Sequence, residues 1–274
     1  MRKLLFIAAI ALFVVGVSCG NSEKEEEGTK VLINTNYGEI TVKLYEKTTK
    51  HKENFIKLVQ EDFYDSLLFH RVIENFMIQG GDPDSKNADP KKRLGEGKPD
   101  HSIPAEFFPE FYHKRGALAA ARRSDMVNPS KRSSASQFYI VQGEKYTEGQ
   151  LDTLLTMKNE GLKKRIFSFE VEKNSKKLDR LSKQNDQEEF KQMLIDIRLK
   201  TDTLYEQAEK YQLTEEQRKA YTTIGGYPSL DGDYTVFGEV VDGMDVVDKI
   251  AAVETGAANR PVEDVFITDM KVLE

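Results

Sequence analysis

The 274-residue chain contains one cysteine, no tryptophan and four histidines. A lone cysteine excludes a disulfide within the chain and any metal site built on two thiolates. His51, His70, His101 and His113 are scattered without ligand spacing, so no metal site is expected from them. No serine sits in a nucleophile elbow, and "GEGKPD" lacks the phosphate-loop pattern. Positive charge is in deficit: the formal net charge is −6, and no basic stretch is interleaved with aromatics. That balance argues against nucleic acid as a partner.

Long apolar runs are also missing, with one exception. "MRKLLFIAAIALFVVGVSC" has two basic residues, an apolar run from Leu4 to Val17, and small residues before Cys19. The run falls short of the roughly 20 residues that span a bilayer and reads as a signal peptide over 1–18, with an uncleaved anchor as the alternative. The segment ending at Cys19 resembles a bacterial lipobox, although Gly16 stands where a leucine-like residue is usual. Lipidation of Cys19 would hold the mature protein at a membrane of the cell envelope, periplasmic or surface-exposed. Residues 19–29 are polar and acidic and read as a tether. Loss of residues 1–18 removes Arg2 and Lys3 and no acid, which moves the charge from −6 to −8.

What is present past the tether is β pattern. "KVLINTNYGEITVKLYE" is two alternating runs joined at Asn36-Tyr37-Gly38, a hairpin signal. "HKENFIKLVQEDFY" has apolar residues at 55, 58, 59 and 63, which is helical spacing. "GALAAAR", "SQFYIVQG", "YTVFGEVV" and "DVFITDMKVL" read as further strands. Short strands with few helices predict a closed antiparallel barrel over residues 30–145 and 223–274. Residues 146–222 differ and read as a helical insertion. One helix is expected over 148–160, another over 187–211 with an apolar stripe at 190, 193, 194, 197, 204, 208 and 211. A capping box at Thr214 and Gln217 predicts a third start.

"FHRVIENFMIQGGDP" poses the functional question, because Arg71 and Gln79 sit in an otherwise core-like segment. Arginine is seldom fully buried without a partner, so these side chains either turn to solvent or line a site. Read as two short strands around a Glu74-Asn75 turn, the segment places Arg71 and Ile73 on one face. That is a cation and an amide among soft apolar groups.

This segment resembles the signature of the cyclophilin-type peptidyl-prolyl isomerases. "GALAAAR", "SQFYI" and "LDGDYTVFGEVVDGM" match later blocks of that family in the same order. The resemblance implies a mainly β fold, an eight-stranded antiparallel barrel capped by helices, here with an inserted helical segment. It implies cis/trans isomerisation of X-Pro bonds without a cofactor, and proline-containing unfolded or exported polypeptides as partners. It makes Arg71 the catalytic arginine and Gln79 its positioning partner. Phe76, Met77, Tyr139 (usually phenylalanine) and Leu230 would form the proline pocket, with Gln137 bordering the groove. Ala121 and Arg122 match the strand whose backbone pairs with the peptide, and Tyr234 stands where many members have histidine. Other departures are Ser229 for a tryptophan, Ala135 for a glycine and Arg122 for an asparagine, which put pocket specificity in question. Two further readings stay open: a non-catalytic module holding proline segments, and a lipocalin-like carrier of a small apolar ligand.

Overall fold

Alternation in the first two runs sets the starting hairpin. β1 (Lys30–Thr35) pairs antiparallel with β2 (Gly38–Leu44), Thr35 facing Gly38 across a two-residue loop. Val31, Ile33, Ile40, Val42 and Leu44 all point to one side and are fully buried. The computed structural model describes residues 28–97 and 101–273. The expected signal peptide, Cys19 and nearly all of the acidic tether lie outside the described residues.

The remaining strands are β3 (Arg71–Ile73), β4 (Met77–Gly80), β6 (Ala117–Ala120), β8 (Phe138–Val141), β9 (Val236–Asp242) and β10 (Ile267–Leu273). Together they form one eight-stranded antiparallel sheet in the order β10-β1-β2-β9-β6-β8-β4-β3. β5 (Ser102–Ile103) and β7 (Ser133–Ser134) make a separate short pair. Backbone bonds just ahead of the two edge strands close the sheet on itself. Ser66 and Phe69 donate to the carbonyls of Ile267 and Val265, and Ile267 donates to Leu67, each at 2.8 Å. Closure removes the exposed edges that an open sheet would present.

The period of two then sorts side chains into two apolar layers. Val72, Ile78, Leu118, Ala120, Phe138 and Ile140 face inward and join the core of β1 and β2. α1 (Thr49–Gln60) caps that core with Phe55 and Val59, and α6 (Met244–Ala251) with Val246, Val247 and Ile250. Residues on the alternate positions, Met77, Ala117, Ala119, Tyr139, Val141 and Val236, form a second cluster on the outer face. An outer sheet face this apolar needs a cover, and that cover is where the site lies.

Between β8 and β9 the chain runs through four helices: α2 (Glu148–Lys173), α3 (Ser175–Lys183), α4 (Gln187–Gln207) and α5 (Glu215–Thr223). α2 does not stop at residue 160. Gly161 costs a helix about 1 kcal/mol but does not end one, and the second half of α2 is paired to α4 through Lys163–Asp202 and Glu170–Lys200. α4 in turn stops four residues short of the expected 211. Asn159 of α2 bonds both the N–H (2.9 Å) and the C=O (3.1 Å) of Tyr211, so it replaces the helical partners of that stretch and holds it extended. α5 begins at the expected capping box, with both reciprocal bonds between Thr214 and Gln217 formed.

Candidate active site

β3 and β4 build the site's first wall. Their register sets Arg71 opposite Gln79 and Ile73 opposite Met77, while Val72 and Ile78 turn into the core. The turn between them puts Asn75 at φ 62°, a left-handed conformation that asparagine tolerates better than most residues. Arg71 is therefore neither a core residue nor a freely solvated one. It is half-buried on the outer face, and burial lowers its guanidinium pKa from the ordinary value. Arginine nevertheless remains charged in proteins.

A chain of hydrogen bonds fixes the charge in place. Arg71 Nη1 donates to Gln79 Oε1 at 3.2 Å, and Gln79 Nε2 donates to Gln137 Oε1 at 3.1 Å. Gln137 Nε2 in turn donates to the carbonyls of Gly95 (3.3 Å) and Gly97 (3.1 Å). Gln137 reaches this position because Gly81, at φ 81°, lets the chain after β4 lie directly on the Ser136 carbonyl, where a Cβ would overlap that oxygen. The second of the two adjacent glycines is thus the one the backbone requires.

Beside the guanidinium lies the apolar cluster. Met77 and Tyr139 are its floor, 1% and 4% exposed, and half-buried Phe76, Ala121, Leu230 and Tyr234 stand around it. Arg71 Cζ is 5.8 Å from the centre of the Phe76 ring. Tyr234 meets Tyr139 edge-on at 6.0 Å and carries the Arg122 guanidinium over its own ring at 4.4 Å. All ten residues expected from the sequence are therefore in one neighbourhood. Ala121 joins it in a different way from the one expected. Its N–H already donates to Gln137 O and its C=O accepts from Ser134, so its main chain is used inside the protein and its methyl joins the cluster.

Four contributors escaped the sequence reading. Tyr227 packs on Phe76 with ring centres 4.1 Å apart, close to where Ser229 leaves the tryptophan position small. His113 bonds the Tyr139 hydroxyl through Nε2 at 2.9 Å and Asp231 through Nδ1 at 2.8 Å. Tyr221, from α5, donates to the other oxygen of Asp231 at 2.6 Å. Tyr227 and Asp231 lie within "GGYPSLDG", where nearby glycines and a proline mark a turn but give no sign of what the turn touches. His113 and Tyr221 carry no local signal at all.

Comparison with known proteins bears on this arrangement. The cyclophilin type peptidyl-prolyl cis-trans isomerase/CLD family matches residues 30–201 and 212–272. A Streptococcus pyogenes serotype M6 protein assigned as a bifunctional phosphatase/peptidyl-prolyl cis-trans isomerase is 32% identical over 252 residues. The match takes in 90% of this chain but spans only 39% of that relative's length. A Staphylococcus haemolyticus protein assigned as a peptidyl-prolyl cis-trans isomerase is 28% identical over 253 residues, covering 92% of this chain and 95% of its own. Among solved structures, a cyclophilin type isomerase of Cryptosporidium parvum superposes with a TM-score of 0.51 at 18% identity, over 90% of this chain and 98% of the other. That is a likeness of fold.

Proposed function

Since the chain belongs to the cyclophilin-type peptidyl-prolyl cis-trans isomerase family, we propose that its site isomerises X-Pro bonds of exported polypeptides through a hydrogen bond from Arg71 to the prolyl nitrogen. The barrier to be lowered, about 18–20 kcal/mol, comes from conjugation of that nitrogen with the carbonyl. Twisting the bond breaks the conjugation and localises the lone pair on nitrogen. A fixed N–H donor beside the nitrogen then binds the twisted state more tightly than either planar one, which is the differential binding that accelerates a reaction. No proton changes hands and no covalent intermediate forms.

The residues divide the work accordingly. One Arg71 nitrogen is held by Gln79, and the guanidinium has five N–H donors in all, so others can face the substrate. The proline ring rests on Met77 and Tyr139 between Phe76, Leu230 and Tyr234, held still while the carbonyl side rotates. Dry apolar walls also strengthen the Arg71 charge. Because the main chain of Ala121 is already bonded, we assign backbone pairing with the peptide to Arg122. We further propose that Cys19 is lipidated and holds the enzyme in the cell envelope, where newly exported chains fold.

The observation that carries this reading is the Arg71 guanidinium, braced by Gln79 and 5.8 Å from the centre of the Phe76 ring, at the edge of the apolar cluster of Met77, Tyr139, Phe76, Leu230 and Tyr234. A protease-coupled assay on an Ala-Pro tetrapeptide tests it. Arg71→Ala should lower kcat/KM about a hundredfold or more, the scale for losing a preorganised transition-state donor. An unchanged rate in a folded variant would rule out the mechanism.

A further inference from the structure

Ordinary solvation and packing do not account for the polar chain beneath the pocket. His113 is 1% exposed and Tyr139 4%, yet both carry polar groups that must find partners inside the protein. A carboxylate can only accept, so the Nδ1 of His113 donates to Asp231. In the neutral imidazole Nε2 is then the acceptor, and Tyr139 donates to it. Tyr221 donates to the far oxygen of Asp231. The run Tyr139–His113–Asp231–Tyr221 begins in the floor of the pocket and ends in α5. It has the connectivity of a catalytic triad, but burial pushes the Tyr139 phenol well above its ordinary pKa, so the hydroxyl keeps its proton and is no nucleophile.

A second tie reaches the same place from another helix. Lys158 of α2, largely buried, donates to the carbonyls of Ser229 (3.0 Å) and Asp231 (2.7 Å) and pairs with Asp233 at 3.5 Å. Ser229 and Asp231 flank Leu230. Behind both ties, Tyr221 and Leu151 are fully buried against Tyr112, so α2 and α5 are packed into the barrel at their bases. Further out, Met157, Phe169, Ile195 and Leu199 stay exposed.

We infer that the helical segment between β8 and β9 is a positioning element of the proline pocket, with Tyr221 acting through Asp231 and His113 on the Tyr139 ring and Lys158 holding the Leu230 turn. The inference rests on the isomerase reading above and extends it. Pocket wall and floor are both held from outside the barrel. A pocket residue displaced by a fraction of an ångström loses contacts with a rigid ring, and that loss falls on ground state and transition state alike.

Four variants test it on the full chain: Tyr221→Phe, Lys158→Met, Tyr139→Phe, and the Tyr221→Phe/Tyr139→Phe double. Tyr221→Phe and Lys158→Met should each raise KM for the Ala-Pro tetrapeptide about fivefold, with kcat within a factor of two. The double variant should match Tyr139→Phe alone, because both hydroxyls act through the same imidazole. Leu199→Ser, on the exposed outer surface, should change nothing. A lowered melting temperature with an unmoved KM would reduce both ties to structural roles and overturn the inference, as would additive effects in the double variant. Should the wild type show no turnover, the isomerase reading fails separately. The ring resonances of ¹³C-labelled Tyr139 then decide: they must move on Tyr221→Phe, and their staying in place would overturn the inference too.

Discussion

Arg71 and His70 are neighbours with opposite fates, set by strand alternation and what each side meets. Arg71 turns to the outer face and finds Gln79. His70 is 3% exposed, neither ring nitrogen has a well-formed hydrogen bond among the described residues, and burial pushes its pKa down to about 4 despite the nearby Asp82 carboxylate and Leu68 carbonyl. The unfolded chain would protonate His70 near 6.5, so between about 6.5 and 4 the unfolded state binds more protons. Stability from this group is therefore complete above pH 6.5 and is lost as pH falls toward 4, by about 3 kcal/mol in all. Urea midpoints measured from pH 7 to pH 4.5 should fall accordingly, with the His70 imidazole resonances still those of the neutral ring at pH 5. A His70 that titrates near 6.5 in the folded protein would remove this account of acid lability. At this scale the site was largely legible in sequence, because Arg71, Phe76, Met77 and Gln79 fall within nine consecutive positions whose alternation is fixed. Tyr227, Tyr221 and His113 were not, since their roles depend on contacts between segments far apart in the chain.

Among the elements, the β3–β4 hairpin and the chain leaving it hold the site's geometry. Gly81→Ala would force a side chain into a left-handed backbone and onto the Ser136 carbonyl. We expect it to cost about 2–4 kcal/mol in a urea titration, the usual range for strain of this kind combined with a clash. It should also weaken turnover by disturbing Gln137, which follows directly on the Ser136 carbonyl that the new methyl would displace. A stability within 0.5 kcal/mol of wild type would show that the contact is not needed. The hairpins were readable because each shows its period of two and a turn residue. α3 and α6 carry too little pattern to be legible: each is a short helix of two or so turns, "SKKLDRLSK" and "MDVVDKIA". The stripes of α2 and α4 are legible in the sequence, but their ends at Lys173 and Gln207 are not. The end of α4 is dictated by a side chain of α2 that no local pattern encodes.

For the whole molecule, the barrel supplies a rigid frame, the outer face of its sheet supplies the pocket floor, and the helices between β8 and β9 brace the pocket wall. The proposed anchor at Cys19 has its own test. If Cys19 carries lipid, then Cys19→Ser should move the protein from the membrane fraction to the soluble fraction and abolish incorporation of labelled palmitate. An unlabelled wild type would exclude the anchor without touching the pocket. The central claim is that this pocket turns a bond over and does not merely hold proline. Two-dimensional NMR exchange spectroscopy on an Ala-Pro peptide reads that directly, since cis and trans forms exchange over tens to hundreds of seconds when uncatalysed. A substoichiometric amount of the wild-type protein should bring cis–trans cross-peaks up within a one-second mixing time, and Arg71→Ala should bind the peptide but leave the cross-peaks absent. Binding by the wild type without exchange, or equal exchange by both proteins, would contradict the account.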